Sequence, residues 1–86
     1  MDLNLNNKKV LVWGASQGIG LAIAKTFKDE GSTVTIVSRT ESKLKKICDE
    51  SNIDHYVTAD LTNVEQGIHS VEKSIELMGG VDIFVI

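Results

Sequence analysis

Gly14, Gly18 and Gly20 stand in the run Gly14-Ala15-Ser16-Gln17-Gly18-Ile19-Gly20, directly after the apolar stretch Val10-Leu11-Val12-Trp13. Three glycines at a strand-to-helix turn have separate physical tasks. Gly14 permits the tight turn, Gly18 lets the backbone approach a phosphate with no Cβ in the way, and Gly20 lets the following helix pack close to the sheet. The helix beyond offers free N–H groups and the positive end of its dipole. That chemistry suits the pyrophosphate of a dinucleotide. The alternative is a glycine-rich turn with no ligand, which leaves the backbone entropy cost of three glycines without a purpose.

A second set of residues follows at the end of the next apolar run. Ser38-Arg39-Thr40 places Arg39 19 residues after Gly20. An acidic residue here would pair with ribose hydroxyls and repel a 2′-phosphate. The chain instead offers a guanidinium that can fork onto a phosphate, flanked by the Ser38 and Thr40 hydroxyls. NADP(H) is therefore expected ahead of NAD(H). The alternative for Arg39 is a solvent-exposed pair with Glu41 or Asp60, worth about 0–1 kcal/mol.

The segment Val10 to Gly20, Val-Leu-Val-Trp-Gly-Ala-Ser-Gln-Gly-Ile-Gly, resembles the cofactor loop of short-chain dehydrogenases/reductases, whose usual form is Thr-Gly-x-x-x-Gly-Ile-Gly. Asp60-Leu61-Thr62 and Gly80-Val81-Asp82 to Ile86 resemble later landmarks of that family, nearest its 3-oxoacyl-carrier-protein reductase and glucose dehydrogenase branches. Carried over by position, the resemblance implies that Gly14, Ser16, Gln17, Gly18, Ile19 and Gly20 line the pyrophosphate and the adenosine ribose. It also implies that Asp60 meets the adenine amino group and that Leu61 contacts the ring. The alternative for Asp60 is a loop or helix-cap carboxylate ahead of Thr62. Trp13 departs from the family, which usually has Thr there, and is expected to fill space beneath the loop.

The family's reaction is hydride transfer between the nicotinamide and a small carbonyl or alcohol substrate. A Tyr serves as general acid/base, a nearby Lys lowers its pKa, and a Ser orients the substrate. In the family these groups lie beyond the fourth strand, so no catalytic residue is expected among these 86 residues. Tyr56 is the only tyrosine, and four residues on stands Asp60 rather than Lys.

Alternating strands and helices must hold these residues in place. Lys8–Trp13 reads as a buried strand. Gly18–Glu30 reads as a helix with Ile19, Ile23, Phe27 and Ala24 inward, stopped by Gly31. Thr33–Ser38 is a β-branched strand, Glu41–Glu50 a helix capped by Thr40 with Leu44 and Ile47 inward, and His55–Ala59 a short strand. Thr62-Asn63-Val64-Glu65 has the form of a capping box. It opens a helix whose inward stripe is Val64, Ile68, Val71, Ile75 and Met78, and which Gly79-Gly80 ends. Val81–Ile86 is a fourth strand. The order βαβαβαβ implies a parallel sheet with right-handed crossovers and helices on both faces. The fold class expected is α/β, a partial Rossmann-type doubly wound parallel sheet in the order 3-2-1-4. Residues 1–86 are expected to be the N-terminal part of an NAD(P)-binding domain. An apolar fourth strand at a bare sheet edge is expected to need either further chain or a neighbouring copy.

Composition narrows the function classes. The net charge of −3 is spread along the chain, which argues against a nucleic-acid-binding face. The basic run Lys43 to Lys46 lies among Glu41, Asp49 and Glu50 and reads as a solvated helix face. Cys48 is the single cysteine, which fits a reducing cytoplasm and a small apolar packing role. His55 and His69 have no ligand spacing, so no metal is expected, and His69 falls off the apolar stripe toward solvent. Met1 to Asn7 lacks the regions of a signal peptide, and no apolar run approaches the ~18 residues of a membrane span. Two function classes stay open: the NADP(H)-binding portion of a short-chain oxidoreductase, or a non-catalytic nucleotide-binding chain that associates through its open edge. A third, a methyltransferase binding S-adenosylmethionine, would favour an acidic residue where Arg39 stands.

Overall fold

The computed structural model describes residues 6–86. Seven elements alternate along it: β1 Lys9–Trp13, α1 Gly18–Asp29, β2 Thr33–Ser38, α2 Glu41–Ser51, β3 His55–Thr58, α3 Val64–Met78 and β4 Ile83–Val85. They form one sheet in the order β3-β2-β1-β4 with every pair parallel, as the alternation predicts. This is a partial Rossmann-type α/β sheet. β4 is shorter than the apolar run that predicts it, because Val81 and Asp82 lie ahead of the ladder.

Side chains alternate across the pleat and divide the core in two. Val10, Val12, Val34 and Ile36 pack with Ala24 of α1 and Leu44 of α2 on one face. Leu11, Val37 and Val57 pack with Met78 of α3 on the other. At the start of the β1–β4 ladder, the Lys9 N–H donates to Asp82 Oδ2 at 2.9 Å while the Asp82 N–H donates to the Lys9 carbonyl at 2.8 Å.

Two helix faces differ from the sequence expectation, for one physical reason. In α1, Ile19 is not inward but 80% exposed, while Ala24 is buried and Ile23 and Phe27 are half-buried. In α3 the buried residues are Gly67, Ser70, Ser74 and Met78, whereas Val64, Ile68 and Ile75 are exposed. Each helix turns its smallest residues to the sheet, which brings the backbones close and moves the larger apolar side chains to the flanks. The two buried serines are satisfied within α3: Ser70 Oγ donates to the Gly67 carbonyl at 2.7 Å and Ser74 Oγ to the Ser70 carbonyl at 2.6 Å.

The helix caps also shift. Thr40 is the N-cap of α2 but makes no side-chain cap bond. At α3 the N-cap is Asn63 rather than Thr62, and its Oδ1 accepts from the Gln66 N–H at 3.2 Å.

Candidate functional site: a cleft at the C-terminal sheet edge

The parallel strands deliver three loops to one end of the sheet. Ladder bonds continue past the strands: the Gly14 N–H donates to the Val37 carbonyl at 2.8 Å, and the Ala59 N–H to the Ser38 carbonyl at 2.9 Å. The loops after β1, β2 and β3 therefore start abreast. Between them lies an open cleft of about 410 Å³. Gly14, Ser16 and Gln17 line its glycine-loop side; Ser38, Arg39, Thr40 and Lys43 form a second wall, and Ala59, Asp60, Leu61 and Thr62 a third. Eight of the residues read as cofactor-binding thus meet in one place. Gly18, Ile19 and Gly20 do not line the cleft; they begin α1, and the Ile19 side chain is exposed.

The glycine loop is built on close approach. Gly14 and Gly18 have φ of +73° and +64°, the left-handed region that favours glycine. A Cβ on Gly20 would stand 2.6 Å from the Gly14 carbonyl oxygen, so only glycine lets α1 begin this near the loop. Gln17, in extended backbone at the N-cap of α1, makes no side-chain cap bond, and the first turn of α1 carries no acidic residue. The N–H groups there are left for a ligand.

The β2 wall is cationic. Arg39 and Lys43 both reach the cleft, and neither has an ion-pair partner among the described residues. The pairs with Glu41 or Asp60 weighed for Arg39 do not form. Beneath them the buried Ser38 Oγ has no hydrogen-bond partner; the one other such atom among the described residues, Thr35 Oγ1, lies mid-strand in β2. An unmet buried hydroxyl costs free energy, and at the cleft wall a ligand oxygen can offset that cost. The wall thus gathers two cations and the hydroxyls of Ser38 and Thr40.

The sequence pattern reads Lys43 as part of a solvated basic helix face. Lys43, Lys45 and Lys46 are all exposed, as that reading expects, and Lys46 meets Glu50 at 3.9 Å. Lys43 also lines the cleft, because it occupies the first turn of α2, at the end of the helix that opens onto it. Its spacing of four from Arg39 across the Thr40 cap was the available signal.

On the third wall, Asp60 divides its carboxylate between two tasks. Its Oδ1 accepts from the Thr62 hydroxyl at 2.7 Å and from the Thr62 N–H at 3.0 Å. These two bonds hold the carboxyl below its ordinary value; desolvation opposes them and the Arg39 charge assists. The Asp60 N–H donates to Gln66 Oε1 at 2.7 Å, which ties the turn to α3. Oδ2 accepts no bond among the described residues and stays free for a donor. The loop-carboxylate role and an adenine contact are therefore compatible.

Trp13 lies at the end of β1, on the α3 side of the sheet. Its indole Nε1 donates to Ser70 Oγ at 3.2 Å, and a Cβ on Gly67 would stand 3.3 Å from the ring. Phe84 meets the ring edge-on at 4.8 Å between centroids. Trp13 packs sideways against α3 and β4 rather than beneath the loop.

Tyr56 does not line the cleft: its hydroxyl donates to Glu41 Oε1 at 3.3 Å, and desolvation, then the Glu41 charge, raise its pKa. Cys48 is half-buried, with its thiol pushed up by burial and by Asp49 and Asp54. Among the described residues no cluster of His, Cys, Asp and Glu can hold a metal, and no helix is long and apolar enough to cross a membrane.

A family model described as short chain dehydrogenase matches residues 8–86. An uncharacterized oxidoreductase of Staphylococcus haemolyticus is 39% identical over 83 residues, covering 94% of this chain and 36% of that protein. A glucose 1-dehydrogenase of Gluconobacter oxydans is 42% identical over 83 residues, 91% of this chain and 31% of its own length. An A-factor type gamma-butyrolactone 1′-reductase of Streptomyces virginiae is 35% identical over 82 residues, 91% of this chain and 32% of its own. The chain spans about a third of the length of these curated relatives.

Proposed function

Because the chain belongs to the short-chain dehydrogenase/reductase family, we propose that it is the NADP(H)-binding portion of an oxidoreductase acting on a small carbonyl or alcohol. One observation carries the choice of cofactor. Arg39 and Lys43, both without ion-pair partners among the described residues, stand on one wall of the cleft over the unmet Ser38 hydroxyl. Two cations and two hydroxyls match a 2′-phosphate, and no carboxylate on that wall repels it. The N–H groups at the start of α1 and the backbone of Gly14 to Gly20 would hold the pyrophosphate. Asp60 Oδ2 would accept from the adenine amino group, with Leu61 against the ring. The bound cofactor would supply the hydride. Titration of NADPH and NADH into the chain tests the assignment: NADPH is expected to bind more tightly, and equal affinities would sink it.

A second reading rests on what the described residues do not assemble. No Tyr-Lys pair meets at the cleft, and Tyr56 is turned to Glu41. The 86 residues by themselves would then be a nucleotide-binding chain without turnover, associating through the β4 edge. Incubation with NADPH and simple ketones tests it: turnover by the chain alone would contradict it.

A further inference from the structure

We infer that Trp13 is a positioning residue for the nucleotide site, a clamp that sets how far the Asp60–Leu61 wall stands from the glycine loop. The inference deepens the proposed NADP(H) reading and rests on it. Trp13 is joined to the loop covalently, since Gly14 follows it directly. Its ring is held by three contacts, two to α3 and one to β4. The Nε1 bond to Ser70 ties the ring to α3, the absence of a Cβ on Gly67 lets α3 approach it closely, and the edge-on Phe84 holds the ring from the β4 side. Ser70 is itself fixed, because its hydroxyl donates onward to the Gly67 carbonyl.

The first turn of α3 then carries the restraint to the cleft. Gln66 lies next to Gly67, and its Oε1 accepts from the Asp60 N–H, while Asn63 caps the same turn. Asp60 in turn fixes Thr62 through its carboxylate. A continuous run of contacts thus links the residue before Gly14 to the residue that faces adenine. A threonine at position 13 has neither the ring to reach Gly67 nor the indole N–H to reach Ser70. This chain therefore fixes its third wall by a contact that a smaller residue could not make.

The test uses the full chain with Trp13→Phe and Ser70→Ala, each of which keeps most of the packing while removing one end of the Nε1 bond. In the unliganded chain, amide hydrogen exchange at Thr62, Gln66 and Gly67 is expected to speed up about tenfold in either variant, while the β2 amides keep their protection. Equal acceleration throughout the chain would mean a merely structural role and would overturn the proposal. In titrations with adenosine 2′,5′-bisphosphate, both variants are expected to bind about tenfold more weakly than the wild type. Wild-type binding with unchanged affinity in the variants overturns the clamp and leaves the nucleotide reading standing. Absence of wild-type binding overturns the nucleotide reading, and the clamp's role in it as well. Trp13 is the only tryptophan, so its single indole N–H resonance reports the same event. That resonance is expected to shift on titration of the wild type and to stay still only if the clamp is not coupled to the site.

Discussion

At the scale of the residue, the β2 wall makes the sharpest predictions. A charged hydrogen bond contributes about 1.5–3 kcal/mol, so Arg39→Asp is expected to weaken NADPH binding by about 10- to 100-fold and NADH binding far less. Lys43→Ala, whose charge works through more water, is expected to cost about two- to fivefold, with the loss fading as salt is raised; calorimetry at two ionic strengths checks both. The place of Lys43 at the cleft is easily passed over in sequence, because composition groups it with Lys45 and Lys46 and only its spacing of four from Arg39, at the helix end, separates them.

Asp54 gives a pH prediction of the same scale. Burial pushes its carboxyl up, but the Val34 N–H at 2.9 Å and the Lys28 ammonium at 2.9 and 3.0 Å outweigh burial, and the net shift is downward. A carboxyl lowered on folding stabilises above its unfolded value of about 3.9, and that stability is lost as pH falls through the folded value. Asp54→Asn should therefore cost about 1 kcal/mol at neutral pH and show a shallower acid loss of melting temperature below about pH 5. Parallel melting curves for the two proteins would show that the pair contributes nothing.

At the scale of the element, the existence and order of all seven elements were legible because the apolar period changes from strand to helix and back, with Gly31 and Gly79-Gly80 as stops. The faces were not. Periodicity ranks positions by hydrophobicity, whereas a helix lying close to a sheet needs small residues at the contact. Val64-Ile68-Ile75 therefore won the pattern and Gly67-Ser70-Ser74 won the interface. Gly67→Ala tests this directly. Alanine gains about 1 kcal/mol in helix propensity, yet its Cβ would press at 3.3 Å on a ring pinned by Ser70 and Phe84. Overpacking of this kind costs about 1–3 kcal/mol, so the net change in denaturant unfolding is expected to be destabilising. The cap is checked in the same way: Asn63→Ala should cost about 1 kcal/mol, whereas the sequence pattern alone would have assigned that loss to Thr62.

At the scale of the whole molecule, the cleft and the open edge occupy different parts of one sheet. Among the described residues β4 pairs only with β1, and Phe84 within it and Ile86 just after it are 42% and 91% exposed. Light scattering on the 86-residue chain is expected to find concentration-dependent association, reduced by Ile86→Lys, since a lysine at a sheet edge blocks further pairing. A monomer at every concentration would contradict it. The cleft was largely legible from the sequence because its residues sit at strand ends, where topology alone brings them together. Trp13's sideways packing was not, since it depends on a partner 57 positions away.

The pairing of Lys9 with Asp82 spans 73 positions, and that distance bears on how the chain folds. β1 can join β2 through one short crossover, but β4 must find β1 across a far longer stretch of chain. Closing so long a loop is slow before it is rewarding. A one-residue slip on arrival would turn Phe84 away from Trp13 and to the opposite face. The Asp82 carboxylate, by catching the Lys9 N–H just as the ladder begins, acts as a register stop. Asp82→Ala is accordingly expected to slow the last kinetic phase of refolding more than it speeds unfolding, as stopped-flow fluorescence of the single tryptophan would record.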